Sequence, residues 1–98
     1  MLLLMFLTAA TAQAECRPGR VLLQVLGSGG PELDDGRASS AYLLWLDGRA
    51  RVLIDTGSGA AANFERSGAR IEDLQAVLFS HLHVDHSVDF PTFIKAAF

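Results

Sequence analysis

The sequence predicts a mixed α/β fold of the α+β kind, and three observations predict it. Short apolar runs at 21–26, 41–46, 51–55 and 76–80 have strand length and are punctuated by Gly, Asp and Ser. Asp47-Gly48 falls between two of these runs and is a hairpin signal, because both central residues of a type I′ turn need positive φ. Helix-compatible stretches separate and follow the strands, and one of them holds Pro91 where a first helical turn tolerates it.

In chain order, "VLLQVL" (21–26) reads as the first strand and ends at glycine. "GSGGPELDDGRASS" (27–40) is a long loop rich in Gly, Asp and Ser. "AYLLWL" (41–46) and "RVLID" (51–55) flank the turn. The first of these is apolar on both alternating faces, with Ala41, Leu43 and Trp45 on one and Tyr42, Leu44 and Leu46 on the other. A strand of that kind expects cover on both sides. "AANFERSG" (61–68) is a short helix stopping at Gly68, "IEDLQ" (71–75) is one helical turn, and "AVLFS" (76–80) is a short strand. A last helix starts near Pro91.

The chain's 98 residues suit at most one small domain. Lys and Arg total 8 against 11 Asp and Glu, for a net charge of −3, and the basic residues form no run. That balance argues against a dedicated nucleic-acid surface. "MLLLMFLTAATAQA" is apolar and ends in Ala12-Gln13-Ala14, the pattern of a signal-peptidase site, so a signal peptide is expected over 1–14 and the protein is expected to be exported, periplasmic or secreted. The run is shorter than the roughly 20 residues that a membrane span needs, so no stable membrane anchor is expected. Cys16 is the single cysteine, which excludes an internal disulfide.

The chemistry concentrates in "HLHVDH" (81–86), which holds all 3 histidines of the chain. Residues two apart on a strand share a face, so His81 and His83 leave the 76–80 strand able to approach one point. Asp85 and His86 lie just past the strand end, where a turn can aim them at a second point. Zinc accepts imidazole nitrogen and carboxylate oxygen at about 2.0–2.2 Å. Two metals about 3.5–4 Å apart suit two such pairs. A solvated polar turn with incidental histidines is the competing reading, and so many donors directly after an apolar strand weigh against it.

This H-x-H-x-D-H stretch after an apolar strand resembles the signature of the metallo-β-lactamase superfamily. "LIDTG" (53–57) looks like that superfamily's strand-end aspartate motif. "LGSGG" (26–30) with "SS" (39–40) is similar to the opening of its ribonuclease Z and arylsulfatase-like branches. The resemblance implies an αββα sandwich with the metal site at the sheet edge. It implies that His81 and His83 bind one metal and that Asp85 and His86 bind a second. Asp85 is also implied to handle protons on the attacking water, as the catalytic residue. Asp55 is implied to lie behind the ligands and orient one of them, a role that fixes histidine tautomer and ring direction. Gly27, Ser28, Gly29 and Gly30 are candidates for lining the substrate cleft.

The expected function is therefore a metal-dependent hydrolase that uses a metal-bound hydroxide on an ester, phosphodiester, sulfate ester or lactam-type substrate. Two zinc ions are the expected cofactors, and iron or manganese also accept these donors. The histidines must be neutral to bind, so activity is expected to fall in acid. A small-molecule substrate is expected and nucleic acid is not, since export and the acidic balance argue against a tRNA-processing nuclease. The resemblance also implies a further histidine, a bridging aspartate and a last histidine from a second half. No histidine follows His86, and Asp89 is too near in sequence to bridge. Residues 15–98 are thus expected to be the N-terminal portion of such a domain, truncated, lacking its remaining half and inactive alone. The alternative is a non-catalytic zinc-binding or interaction fragment of the same fold.

Overall fold

The structure is a computed structural model and describes residues 20–98. The expected signal peptide at 1–14 and Cys16 lie outside the described residues. A four-stranded sheet runs β1 (Val21–Gly27), β2 (Ala41–Leu46), β3 (Arg49–Ile54) and β4 (Ala76–Leu78), neighbours in space as in sequence. β2 pairs antiparallel with β1 on one side and with β3 on the other, and β4 adds in parallel to β3. The helices are α1 (Ala60–Arg66), α2 (Val84–Ser87) and α3 (Phe90–Ala97), with a 3₁₀ turn at Ile71–Asp73. Among the described residues no helix is long and apolar enough to cross a membrane.

The hairpin turn forms where its chemistry places it. Asp47 has φ 49° and Gly48 φ 80°, as a two-residue type I′ turn demands. So tight a turn brings Arg49 and Ala50 into β3, two residues earlier than the apolar run suggests. At its other end β3 stops at Ile54, because Asp55 turns to φ 61° and leaves the strand.

The core lies on one face of the sheet. Leu26, Ala41, Leu43, Ala50 and Leu53 are buried beneath Ala60 and Phe64 of α1 and Phe93 of α3. Phe64 and Phe93 meet edge to face with ring centroids 5.3 Å apart. The expectation of cover on both faces is met on this one only among the described residues. On the opposite face Val21 and Leu23 are each 62% exposed and Leu78 is 53% exposed. Tyr42, Leu44 and Leu46 are half-buried there.

Helix α1 opens at Gly59, which has no side chain to cap it. Its cap comes from far along the chain: Asp89 Oδ2 accepts the Ala61 N–H at 3.0 Å. The same residue's N–H donates to the Thr56 carbonyl at 2.9 Å. Asp89→Ala is expected to cost about 1 kcal/mol, the usual worth of such a cap. Asp89→Asn, which keeps an acceptor oxygen, should recover most of it, as read from urea midpoints.

Candidate metal centre

β4 is shorter than the apolar run 76–80, and the reason lies in Asp55. The Asp55 N–H still donates to the Leu78 carbonyl at 2.8 Å, the last backbone rung between the two segments. One step further a side chain replaces the ladder: the Ser80 N–H donates to Asp55 Oδ1 at 2.8 Å. Phe79 and Ser80 therefore leave the strand, and His81 to His83 continue without regular structure into α2. His83 is the N-cap of α2, with φ −61° and ψ 152°.

Asp55 is the hub of the site. It is 2% exposed and sits in left-handed backbone, a region that Asp enters more readily than most residues. Its Oδ2 accepts from Ser80 Oγ at 2.7 Å, from Ser40 Oγ at 3.2 Å and from His86 Nδ1 at 2.7 Å. Burial pushes this carboxyl up. The bonds from His86, from the Ser80 N–H and hydroxyl, and from Ser40 outweigh burial and hold it below the ordinary carboxylate range.

The backbone after Asp55 clamps the histidine segment. The Thr56 N–H donates to the His86 carbonyl at 2.7 Å. Gly57 has no Cβ, and one built there would stand 2.3 Å from the Asp85 carbonyl oxygen and 2.6 Å from Ser39 Cβ. Glycine at 57 thus lets α2 lie directly against the β3 exit.

The three imidazoles gather beside this clamp. The His81 ring centroid is 4.0 Å from that of His86 and 4.6 Å from that of His83. His86 Nδ1 faces Asp55, so its proton is on Nδ1 and its Nε2 lone pair points away. That Nε2 lies 3.3 Å from Asp85 Oδ2. Two donors held at about 2.0–2.2 Å by a tetrahedral zinc stand about 3.3–3.6 Å apart, so this pair has the spacing of two ligands on one ion. The donor set of imidazole and carboxylate also suits zinc. Among the described residues no group of three or more His, Cys, Asp or Glu side chains is disposed to hold a metal ion.

The glycine loop has a packing role. A Cβ at Gly27 would lie 1.9 Å from the Ser39 carbonyl oxygen, and the Gly29 N–H donates to the Ala38 carbonyl at 2.8 Å. Ser39 Oγ in turn donates to the Gly30 carbonyl at 2.9 Å. The loop thereby fixes residues 38–40, and with them Ser40 on Asp55. Beside it an open cavity of about 420 Å³ is lined by Glu32, Arg37, Ser39, Ser58, Asn63 and Arg66 among others. The sequence reading assigned no site role to Ser40 or Ser80, whose hydroxyls serve the Asp55 carboxylate. The available signal was the place of Ser80, directly before the histidine segment.

Comparison with known proteins agrees with this architecture. The family model of the Metallo-beta-lactamase superfamily matches residues 34–98. The chain is 35% identical over 66 residues to a Ribonuclease Z of Methanopyrus kandleri, covering 67% of this chain and 23% of that protein. It is 37% identical over 65 residues to a Ribonuclease Z of Mycobacterium sp. (strain KMS), covering 66% and 22%. The chain thus spans less than a quarter of the curated relatives it matches. The crystal structure of the metallo-beta-lactamase fold protein YhfI from Bacillus subtilis superposes with a TM-score of 0.65 at 30% identity, over 76% of this chain and 29% of that one. That of human tRNase Z, short form, superposes with a TM-score of 0.64 at 27% identity, over 72% and 27%.

Two expectations are corrected by these matches. The small-molecule substrate with no nucleic acid is overturned, since the relatives are named for RNA and tRNA. Scattered charge was a poor test, because the residues that grip a nucleic acid need not lie in the stretch that carries the metal donors. The periplasmic protein with a signal peptide is corrected as well, since the relatives that match are ribonucleases Z.

Proposed function

The chain belongs to the metallo-beta-lactamase superfamily, and on that premise we propose that it carries part of the metal site of a zinc-dependent hydrolase that cleaves phosphodiester bonds in RNA. The observation that carries the reading is the His86 Nε2 to Asp85 Oδ2 spacing of 3.3 Å with the buried Asp55 behind His86. The RNA substrate is supported by relatives named ribonuclease Z and by the likeness to human tRNase Z. A further likeness, to a diphosphatase of the PhnP family with a TM-score of 0.65 at 26% identity, supports phosphate chemistry more broadly.

In this reading His81 and His83 hold one ion, and Asp85 and His86 hold a second. Zinc, when bound, lowers the pKa of its water toward about 7 and polarises a phosphoryl oxygen. The chain's own residues do the rest. Asp55 keeps His86 in the tautomer that leaves Nε2 free. Thr56 and Gly57 hold α2 in place. Asp85 accepts a proton from the attacking water. With two ligands per ion in this reading, residues outside 20–98 complete the site, and the described stretch is inactive alone.

The test uses the protein at full length. His81→Ala/His83→Ala is expected to lower zinc content by about one ion per chain and to lower RNA cleavage by at least about 100-fold. Zinc content that stays unchanged in the double variant would overturn the ligand assignment. Zinc-dependent activity on a lactam or ester with none on RNA would overturn the substrate class.

A further inference from the structure

Ser80 stands at the junction of both donor pairs, and its contacts are more than a structural tie. Its Oγ lies 2.7 Å from Asp55 Oδ2, 3.1 Å from His81 Nδ1 and 3.2 Å from His86 Nδ1. A hydroxyl has one proton to give and two lone pairs to receive. Asp55 is ionised and can only accept. If Ser80 gave its proton to His81 instead, a hydroxyl lone pair would face a buried carboxylate at 2.7 Å with no hydrogen between them. The proton therefore goes to Asp55. The remaining lone pair faces His81 Nδ1, which must then carry its own proton.

We infer that Ser80 is a positioning residue that relays the Asp55 carboxylate to His81, so that one buried acid sets the tautomer of two histidines. Asp55 acts on His86 directly at 2.7 Å and on His81 through the Ser80 hydroxyl. Both rings then hold the proton on Nδ1 and turn a free Nε2 away from the hub. In solution a neutral imidazole exchanges between tautomers, so without the relay His81 presents a mixture. Under the proposed function, on which the metal half of this inference rests, His81 and His86 serve different ions. One hydroxyl would then link the two ions' ligand sets.

The inference separates from the metal reading because tautomers are visible without metal. In the metal-free, ¹⁵N-labelled full-length protein, at mildly alkaline pH, long-range ¹H–¹⁵N spectra should show the neutral rings of both His81 and His86 protonated on Nδ1. Ser80→Ala should lose that signature at His81 and keep it at His86. Ser80→Thr, which retains the hydroxyl, should restore it. In competition with a chromophoric chelator, Zn²⁺ alone should bind Ser80→Ala about 10- to 100-fold more weakly than wild type, and Ser80→Thr close to wild type. A wild-type His81 protonated on Nε2 overturns the relay even if Ser80→Ala fails to fold. So does a folded Ser80→Ala with its His81 signature unchanged. If wild type binds no zinc while the tautomer pattern holds, the proposed function falls and the relay stands.

Discussion

Gly57→Ala is expected to destabilise the protein by about 3 kcal/mol, the upper end for forcing a methyl group into a packed site. It should also weaken zinc binding by about 10-fold or more. The methyl would be driven into the Asp85 carbonyl oxygen at 2.3 Å and against the Ser39 backbone at 2.7 Å. Neither neighbour is the free end of a side chain, so the strain cannot be relieved by a rotamer change. The easiest release is for α2 to lift away from the β3 exit. That movement breaks the bond from the Thr56 N–H to the His86 carbonyl and separates His86 from Asp55. Urea unfolding and zinc competition read the two effects. A variant with both near wild type would show that α2 is not held by this close approach.

The second large effect belongs to Asp55, and two substitutions divide its roles. Asp55→Ala removes four hydrogen bonds at once, from His86, Ser40 and both donors of Ser80. It also leaves a β-carbon residue in left-handed backbone at φ 61°. Together these should cost about 2–4 kcal/mol. Asp55→Asn keeps the residue type that tolerates this backbone and keeps an acceptor for the Ser80 N–H. Its amide NH₂, however, meets the His86 Nδ1–H donor to donor. His86 must then move its proton to Nε2, the nitrogen proposed to bind metal. Asp55→Asn should therefore retain most of the stability and still lose about 10- to 100-fold in zinc affinity. Unchanged zinc affinity in a folded Asp55→Asn variant would defeat this assignment.

The parts of the fold that were legible are those decided by neighbouring residues. The Asp47-Gly48 turn needs positive φ at two adjacent positions, and the pair that provides it is visible in the chain. The strand runs and the Pro91 helix start follow from local composition in the same way. What was not legible depends on partners far away. β4 ends at Leu78 because a carboxylate 25 residues upstream captures the Ser80 N–H. The left-handed turn of Asp55 has no local marker, since Asp also sits comfortably in strand-end loops. The cap of α1 comes from a residue 28 positions away. The site was legible as a set of donors. The rank of its members was not, because Ser40 and Ser80 carry no charge and matter only through the acid that they meet. The substrate class was misread because charge clustering was asked of a stretch spanning less than a quarter of the relatives it resembles.

The sheet order β1-β2-β3-β4 has a consequence for the order of assembly. Two consecutive antiparallel pairings come first in the chain, one across a tight turn and one across the 27–40 loop, and both are more local than the pairing of β4. Pairing of β4 with β3 closes a longer loop, and it is this step that brings Ser80 to Asp55. The histidine segment can dock only afterwards, and its tether to the rest, at Asp89, follows it by three positions. During synthesis on the ribosome the antiparallel scaffold can therefore form before the donor residues emerge. The metal-binding segment then arrives as a late addition to a surface already shaped to receive it.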